Sequence, residues 1–249
     1  MNKHPKISVI TVVFNGEKYI GRTIESVLGQ TYNELEYIII DGKSTDMTLE
    51  IVSSYEGIDR VLSEPDQGLY DAMNKGLHLA TGDYVWFLNS GDQIYSADTV
   101  EKMIAGVEGS PDIIYGGTMI IDEEQNEVGD RRLKPPDQLN WRSFRQGMVV
   151  CHQSLVVKKE GAPEYNLDYR LSADIDWAIR AARSAVHIHN SRMVLARFLE
   201  GGLTEHNIKA GLKERFKIMR HYYGLIPTIL RHFLFGVRLT NFYLRHRRI

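Results

Sequence analysis

The sequence predicts an α/β fold in which a mixed, mainly parallel sheet is flanked by helices. Three observations lead there. Short apolar runs rich in Val and Ile recur along the first 115 residues, segments of helical period separate them, and a polar glycine-containing loop follows each of the first four runs. Strands that are apolar on both faces and alternate with helices belong in a parallel sheet with both faces covered.

The first run, Ile7–Phe14, is β-branched and short, and no small-residue cleavage site follows it. It reads as a buried strand rather than a signal peptide. Ile20, Ile24, Val27 and Leu28 then recur at helical spacing before the second strand, Glu36–Ile40. Ser44 or Thr45 is expected to cap a helix running to Tyr55. Arg60–Leu62 is the third strand, Gly68–Ala80 the next helix, and Tyr84–Leu88 and Asp112–Tyr115 the following strands. Beyond residue 116 the pattern changes. Asp122–Glu127 suits a hairpin tip, Pro135-Pro136 interrupts regular structure, and Val149–Val157 is apolar around Cys151-His152-Gln153-Ser154. This stretch is expected to form the antiparallel part of the sheet. A helix over Asp174–Arg183, short strands near Val186–His189 and Met193–Phe198, and a helical region from Thr204 complete the reading.

The 249 residues suffice for one large domain with an appendage. A net formal charge of -2 argues against a nucleic-acid partner. The lone Cys151 offers neither a disulfide nor a thiolate cluster, which favours a cytoplasmic setting. No run of about 18 uncharged apolar residues is present, so no membrane-spanning helix is expected.

In an open parallel sheet, ligands bind outside the carboxyl ends of the strands. Here those ends carry Asn15-Gly16-Glu17, Asp41-Gly42-Lys43-Ser44-Thr45-Asp46, Ser63-Glu64-Pro65-Asp66-Gln67-Gly68 and Asn89-Ser90-Gly91-Asp92. One such loop is only a turn, because turns favour these residues anyway. Four on one edge suggest a site. The glycine-rich dinucleotide fingerprint and the Walker lysine motif are both missing, which disfavours nucleotidyl transfer. The loops offer carboxylates and amides instead. Asp41 suits a base N–H or ribose hydroxyls, and Asp92 suits a divalent cation bridging two phosphates. A nucleoside diphosphate on a metal ion is the ligand class that follows.

These segments also carry a resemblance. ISVITVVFNGEKYIGRTIESVLGQTY, YIIIDGKSTDMTLEIV, SEPDQGLYDAMNKGLHLATGDYVWFLNSGD, CHQS, SADIDWAIRA and FLEGGLTEHN, in this order over residues 7–207, resemble family 2 glycosyltransferases of the GT-A (Rossmann-like, nucleotide-binding) fold. Within that family they are similar to small bacterial enzymes of exopolysaccharide and O-antigen assembly, of the colanic acid WcaE type. The resemblance implies a hexosyltransferase-type enzyme that moves a sugar from a UDP- or GDP-linked donor to a hydroxyl of a glycan or lipid-linked acceptor, with inversion. It implies a divalent cation, Mg²⁺ or Mn²⁺. By position it puts Thr11, Val13, Asn15 and Glu17 around the nucleotide, with Asp41, Gly42 and Ser44 at the base. Asp66, Asp71 and Lys75 fall near the ribose and diphosphate, and Asn89, Ser90 and Gly91 on the turn that ends with the metal ligand Asp92. His152 falls near the donor phosphate, His206 is a second metal ligand, and Asp174 is the catalytic base.

Other readings of the same residues stand beside these. Asp92 also suits an ordinary turn, Asp71 a helix start, and Lys75 a solvated helix face. His152 on an apolar run also suits a hydrogen-bonded core. Asn74 and Gly76 suit packing better than donor contact. Asp176 rivals Asp174, although two residues apart on a helix they point in different directions. Relatives usually carry D-x-D-D where this chain has Asn89-Ser90-Gly91-Asp92, so a weakened metal site is expected. The reduced motif also admits a non-catalytic nucleotide-sugar-binding paralogue.

Residues 1–204 are expected to form the glycosyltransferase domain, with the nucleotide-sugar half to about 115 and the acceptor half beyond it. Residues 205–249 are expected to form a basic amphipathic helical tail. From Lys209 onward ten Lys and Arg stand against Glu214 alone. Arg231, Arg238 and Arg245 recur every seven residues beside an apolar face of Leu230, Phe233, Leu234, Val237 and Leu244. Such a helix either packs on the domain or lies on an anionic membrane, which would make the protein peripheral on the inner face of the cytoplasmic membrane.

Overall fold

The computed structural model describes residues 4–201 and 207–233. A nine-stranded sheet among these residues organises them. Its first four members in space are β3 (Arg60–Ser63), β2 (Leu35–Asp41), β1 (Ile7–Val13) and β4 (Tyr84–Phe87), all parallel. β8 (Leu155–Lys158) is antiparallel to both β4 and β6 (Ile113–Ile121). β9 (Ile188–Leu199) lies parallel to β6, and the two-residue β5 (Gln93–Ile94) pairs with β9. The end of β6 also pairs with β7 (Glu127–Asp130), so the polar segment between them is the expected hairpin tip.

Alternation along the strands fills two cores. Ile10 and Val12 of β1, with Ile38 and Ile40 of β2, face α3 (Leu69–Leu79), α5 (Ala173–Ser184) and part of α6 (Ile208–Tyr223). Val9 and Val13, with Tyr37 and Ile39, face α1 (Ile20–Leu28), α2 (Thr48–Ser53) and α4 (Thr99–Ala105). Each such side chain taken from water contributes about 1.5–3 kcal/mol. Helix α1 buries Ile20, Thr23, Ile24 and Val27, the stripe its spacing predicts.

Four sequence expectations are corrected. Helix α2 starts at Thr48, not after Ser44 or Thr45. Asp46 binds its first turn, accepting from Thr48 N at 3.0 Å, because the Ser44 hydroxyl is drawn to Asp41 instead. The apolar Val149–Val157 run is extended only from Leu155, and His152–Ser154 is a 3₁₀ turn. The two strands expected near 186–198 are one strand with an irregularity, where Arg192 takes φ 54°. Helix α4 and strand β5, too short for a periodic signal, were not expected at all.

Helix α6 contributes Ile218 and Met219 to a core. Residues 225–233 continue as a helix. His206 and the stripe positions Arg238 and Arg245 lie outside the described residues. No helix among the described residues is long and apolar enough to cross a membrane.

Candidate active site at the carboxyl edge of the sheet

Register brings the predicted loops together. Val13 pairs with Asp41 and Asp41 with Ser63, so the chain leaves β1, β2 and β3 at one level. Hydrogen bonds then join the first two loops side by side. Asn15 N donates to Ser44 Oγ at 2.8 Å, and Asn15 Oδ1 accepts from Thr45 N at 2.9 Å. Glu17 Oε2 accepts from Met47 N at 2.9 Å, and Glu17 N donates to Asp46 Oδ2 at 3.1 Å. The left-handed φ of 49° at Asn15 suits a residue whose side chain can bond locally.

Three expected donor contacts lie beneath this surface. Thr11 is fully buried and its hydroxyl meets Tyr37 OH at 3.1 Å. Val13 is a core residue. Asp41 is also fully buried, and its oxygens accept from Ser44 N, Ser44 Oγ (2.5 Å) and Ser63 Oγ (2.6 Å). In this structure these residues shape the loops from below rather than face a ligand. What faces outward is Phe14, 64% exposed at the end of β1. Gly42 sits against it: a Cβ there would come within 2.5 Å of Asp66 Oδ2 and 3.4 Å of Phe14 Cβ. The absent side chain at Gly42 therefore keeps Phe14 and Asp66 adjacent.

The loop after β3 is largely self-contained. Asp66 Oδ1 accepts from Gly68 N at 2.8 Å, and Asp71 Oδ2 accepts from Gln67 N at 3.0 Å. Lys75 bonds Pro65 O at 2.7 Å and Glu64 at 2.9 Å, with Asp71 at 3.6 Å. It clamps its own loop. Asn74 exchanges two hydrogen bonds with the backbone of Tyr165 and is buried, the packing role expected of it.

The turn after β4 differs, because it contains polar atoms with no partner. Asn89 Oδ1 and Ser90 Oγ are buried and unbonded, as are Arg22 Nε and Nη2 at the start of α1. A buried polar atom left unpaired costs about 1–3 kcal/mol, which marks such a cluster as a place a ligand would satisfy. Gly91 has φ 101°, and a Cβ there would lie 2.8 Å from Leu199 Cδ2. Thr23 straps the turn to α1 by accepting from Gly91 N and donating to Asp92 O, each at 2.8 Å. Asp92 is buried. Its Oδ1 accepts from Leu199 N at 3.0 Å and its Oδ2 from Gln153 Nε2 at 2.7 Å. Burial pushes its carboxyl up to about 7, against the pull of those two hydrogen bonds and of the nearby Arg22 charge.

A cation fits here on chemical grounds. Asp92, Asn89 and Ser90 present hard oxygen atoms, two of them unpartnered, and Mg²⁺ or Mn²⁺ takes such donors together with phosphate oxygens and water. Among the described residues no three His, Cys, Asp or Glu side chains gather as a metal cluster. The protein's share, among the described residues, would be one carboxylate and neutral oxygens.

The 3₁₀ turn beneath the cleft links both acidic groups. Gln153 reaches Asp92, while His152 is buried and near enough to Asp174 to feel its charge. Burial pulls the His152 imidazole down to about 4, so it is neutral at physiological pH. Its Nε2 bonds Tyr165 OH at 2.5 Å, and Phe87 and Trp177 pack on the ring. This is the core reading of His152, not the phosphate one. At the first turn of α5, Asp174 is half-buried, with the Tyr70 hydroxyl on Oδ1 at 3.3 Å. Asp176 is buried, pairs with Arg180 at 2.8 Å and accepts from Tyr222 OH at 2.8 Å. Of these two aspartates, among the described residues, Asp174 alone keeps an oxygen without a hydrogen bond.

Phe14, Arg22, Tyr70 and Gln153 carry no role in the sequence reading. An aromatic residue directly after a buried strand and before Asn-Gly was the available signal for Phe14. Nothing local marks the other three.

The mixed sheet and its flanking helices have the GT-A fold. Residues 8–161 match Glycosyl transferase family 2, and the chain belongs to that family and is a glycosyltransferase. It is 33% identical to an uncharacterized glycosyltransferase of Mycobacterium tuberculosis strain H37Rv, covering 99% of this chain and 93% of that one. A PGL/p-HBAD biosynthesis glycosyltransferase of the same organism is 32% identical, over 80% of this chain and 79% of that one. Among solved structures, Staphylococcus aureus TarS residues 1–349 with UDP-GlcNAc superposes with a TM-score of 0.73 at 20% identity, covering 92% and 73%. The mannosyltransferase PcManGT of Pyrobaculum calidifontis, with GDP-Man and Mn²⁺, gives 0.62 at 15%, covering 92% and 74%.

Proposed function

We propose that the protein transfers a sugar, with inversion, from a nucleoside-diphosphate sugar to an acceptor hydroxyl in the assembly of a bacterial cell-surface glycan. The observation that carries this is the contrast between two carboxylates on one helix. Asp176 is committed to Arg180 and Tyr222, whereas Asp174 is half-buried with one hydrogen bond. A sugar hydroxyl is a poor nucleophile and needs a carboxylate to accept its proton. In the reaction the acceptor oxygen bonds to the anomeric carbon as the bond to the diphosphate breaks, and Asp174 takes the hydroxyl proton. A single displacement inverts the centre.

Phe14 offers its exposed ring to the nucleotide base, with Asp66 and the Asn15–Glu17 rim around the ribose. Arg22 supplies unpaired N–H groups to the diphosphate. A divalent cation held by Asp92, Asn89 and Ser90 would neutralise charge on the leaving group. The names of the relatives support a surface-glycan role, and TarS and PcManGT, solved with UDP-GlcNAc and GDP-Man, support a UDP- or GDP-linked donor. An exposed apolar stripe of Leu225, Ile226, Ile229, Leu230 and Phe233 on the helix over residues 225–233 supports seating at a membrane surface, where a lipid-linked acceptor would reside.

Thermal unfolding with a panel of nucleotide sugars, with and without Mg²⁺ or Mn²⁺, tests the reading. One donor is expected to raise the melting temperature, more so with metal, and to be consumed when acceptor is added. Failure of every nucleotide sugar and nucleoside diphosphate to stabilise the protein would contradict it.

A further inference from the structure

We infer that a second cavity, beside the donor cleft, holds the phosphate-bearing head of an amphiphilic acceptor. This rests on the glycosyl-transfer reading above. The cavity encloses about 660 Å³ between the β7 hairpin, the turn before Gly147, helix α6 and residues 231–232. Its wall reaches Glu200, which directly follows the Leu199 whose N–H binds Asp92. An acceptor seated there lies next to the donor turn.

The lining has two characters. Arg131, Arg145, Arg215 and Arg231 bring guanidinium groups to it, and no carboxylate among the described residues forms an ion pair with any of the four. Of the two acidic residues on the wall, Asp130 is already paired with Lys134 at 3.0 Å. Arg145 Nε is buried without a hydrogen-bond partner, while its guanidinium stacks over Tyr223 at 5.1 Å. Several arginines lining one cavity, with a buried Nε of Arg145 left unused, suit phosphate, which guanidinium groups bind in a bidentate manner. Beside the polar Arg132, Gln146 and His232, part of the remaining wall is apolar, with Val128, Leu133, Leu212 and Met219. Inorganic phosphate would leave those side chains without a role; a phosphate or diphosphate on an aliphatic chain uses both. The exposed apolar stripe begins on the same helix that supplies Arg231, so a chain leaving the cavity has an apolar path toward a bilayer.

The test is titration of the full-length protein with farnesyl diphosphate, farnesol and inorganic pyrophosphate. The variants are Arg145→Gln, Arg215→Gln and, in the donor cleft, Phe14→Ala. Farnesyl diphosphate is expected to bind at least about tenfold more tightly than either fragment. Each arginine variant should lose about tenfold, since each removes charge-assisted hydrogen bonds to the phosphate, and Phe14→Ala should stay within about twofold of the parent. Arg215 is half-exposed on α6, so its variant keeps the test valid if Arg145→Gln misfolds. Unchanged binding in both arginine variants overturns the inference. So does equal binding of farnesol or pyrophosphate, or a loss confined to Phe14→Ala. UDP or GDP binding in the same proteins separates the two levels. Retained nucleotide binding without an arginine effect rejects this cavity alone, whereas no nucleotide binding in the parent rejects the function beneath it.

Discussion

Gln153 donates its side-chain amide to Asp92 Oδ2 at 2.7 Å, joining the turn below the cleft to the turn that ends β4. Asp92 is buried and, among the described residues, makes no ion pair, so this bond and the Leu199 N–H hold its carboxylate. Replacing Gln153 with Leu leaves one oxygen unsatisfied and is expected to cost about 1–3 kcal/mol. Chemical denaturation at pH 8 checks this, and a loss well under 0.5 kcal/mol would mean that the bond does not anchor the turn.

Asp92 and Glu36 impose opposite pH dependences on stability. The folded Asp92 holds its proton until about pH 7, against about 3.9 unfolded. Between those values the folded state binds more protons, so the contribution of Asp92 is fully present below about pH 4 and lost as pH rises through 7. Asp92→Asn is therefore expected to stabilise the ligand-free protein at pH 8, on the order of 2–4 kcal/mol, while abolishing metal-dependent turnover. Unfolding curves at pH 5 and pH 8 check it: the gain should shrink at the lower pH.

Glu36 is buried beside Ser8, Thr81 and Lys6. Burial pushes its carboxyl up, but hydrogen bonds from Ser8 and Thr81 outweigh this and hold it at about 2. Its stabilisation is present above about pH 4.3 and lost as pH falls toward 2. Glu36→Gln should cost on the order of 2–3 kcal/mol at pH 7 and flatten acid unfolding across that window. A parallel acid profile for parent and variant would contradict this.

Placing at Gly91 the acid that the family resemblance implies there is expected to fail. Any side chain there must take φ 101° and displace Leu199, 2.8 Å from the Cβ position. Gly91→Asp should lower stability by more than about 1 kcal/mol without tightening Mn²⁺ binding in calorimetry. Tighter metal binding at full stability would show that the turn accommodates the acid.

Phe14→Ala is expected to weaken nucleotide binding by about tenfold, since stacking on an aromatic ring contributes roughly 1–3 kcal/mol per base. The ring is 64% exposed, so melting temperature should hardly change. Equal nucleotide affinity in parent and variant would remove Phe14 from the site.

Much of this architecture is legible in the sequence because each parallel strand declares itself locally. Ile7–Val13 and Leu35–Asp41 are apolar on both faces, and the loop after each is polar. The polar loop after β4 draws attention to Asp92, whereas only the family resemblance singles out Asp174. What the sequence leaves hidden is orientation. Asp41 reads as a ligand-facing carboxylate, but Ser44 of the loop after β2 and Ser63 of β3, the latter 22 residues further along the chain, enclose it. His152 reads equally as ligand or core until Tyr165 and Trp177, brought in by later chain segments, surround it. Gln153 and Arg22 acquire meaning only through contacts with a turn some 60 to 70 residues away.

The central claim is that Asp174 accepts the proton of the acceptor hydroxyl. The direct measurement sets turnover against donor affinity for the parent, Asp174→Asn and Asp176→Asn. Asp174→Asn is expected to lose about 10²–10⁴-fold in kcat with donor Kd within about threefold. Asp176→Asn should instead lose stability by about 3–5 kcal/mol as a buried ion pair is broken, with the folded fraction still turning over. Unchanged kcat in Asp174→Asn, or a fall in kcat that merely follows lost donor binding, would contradict the account.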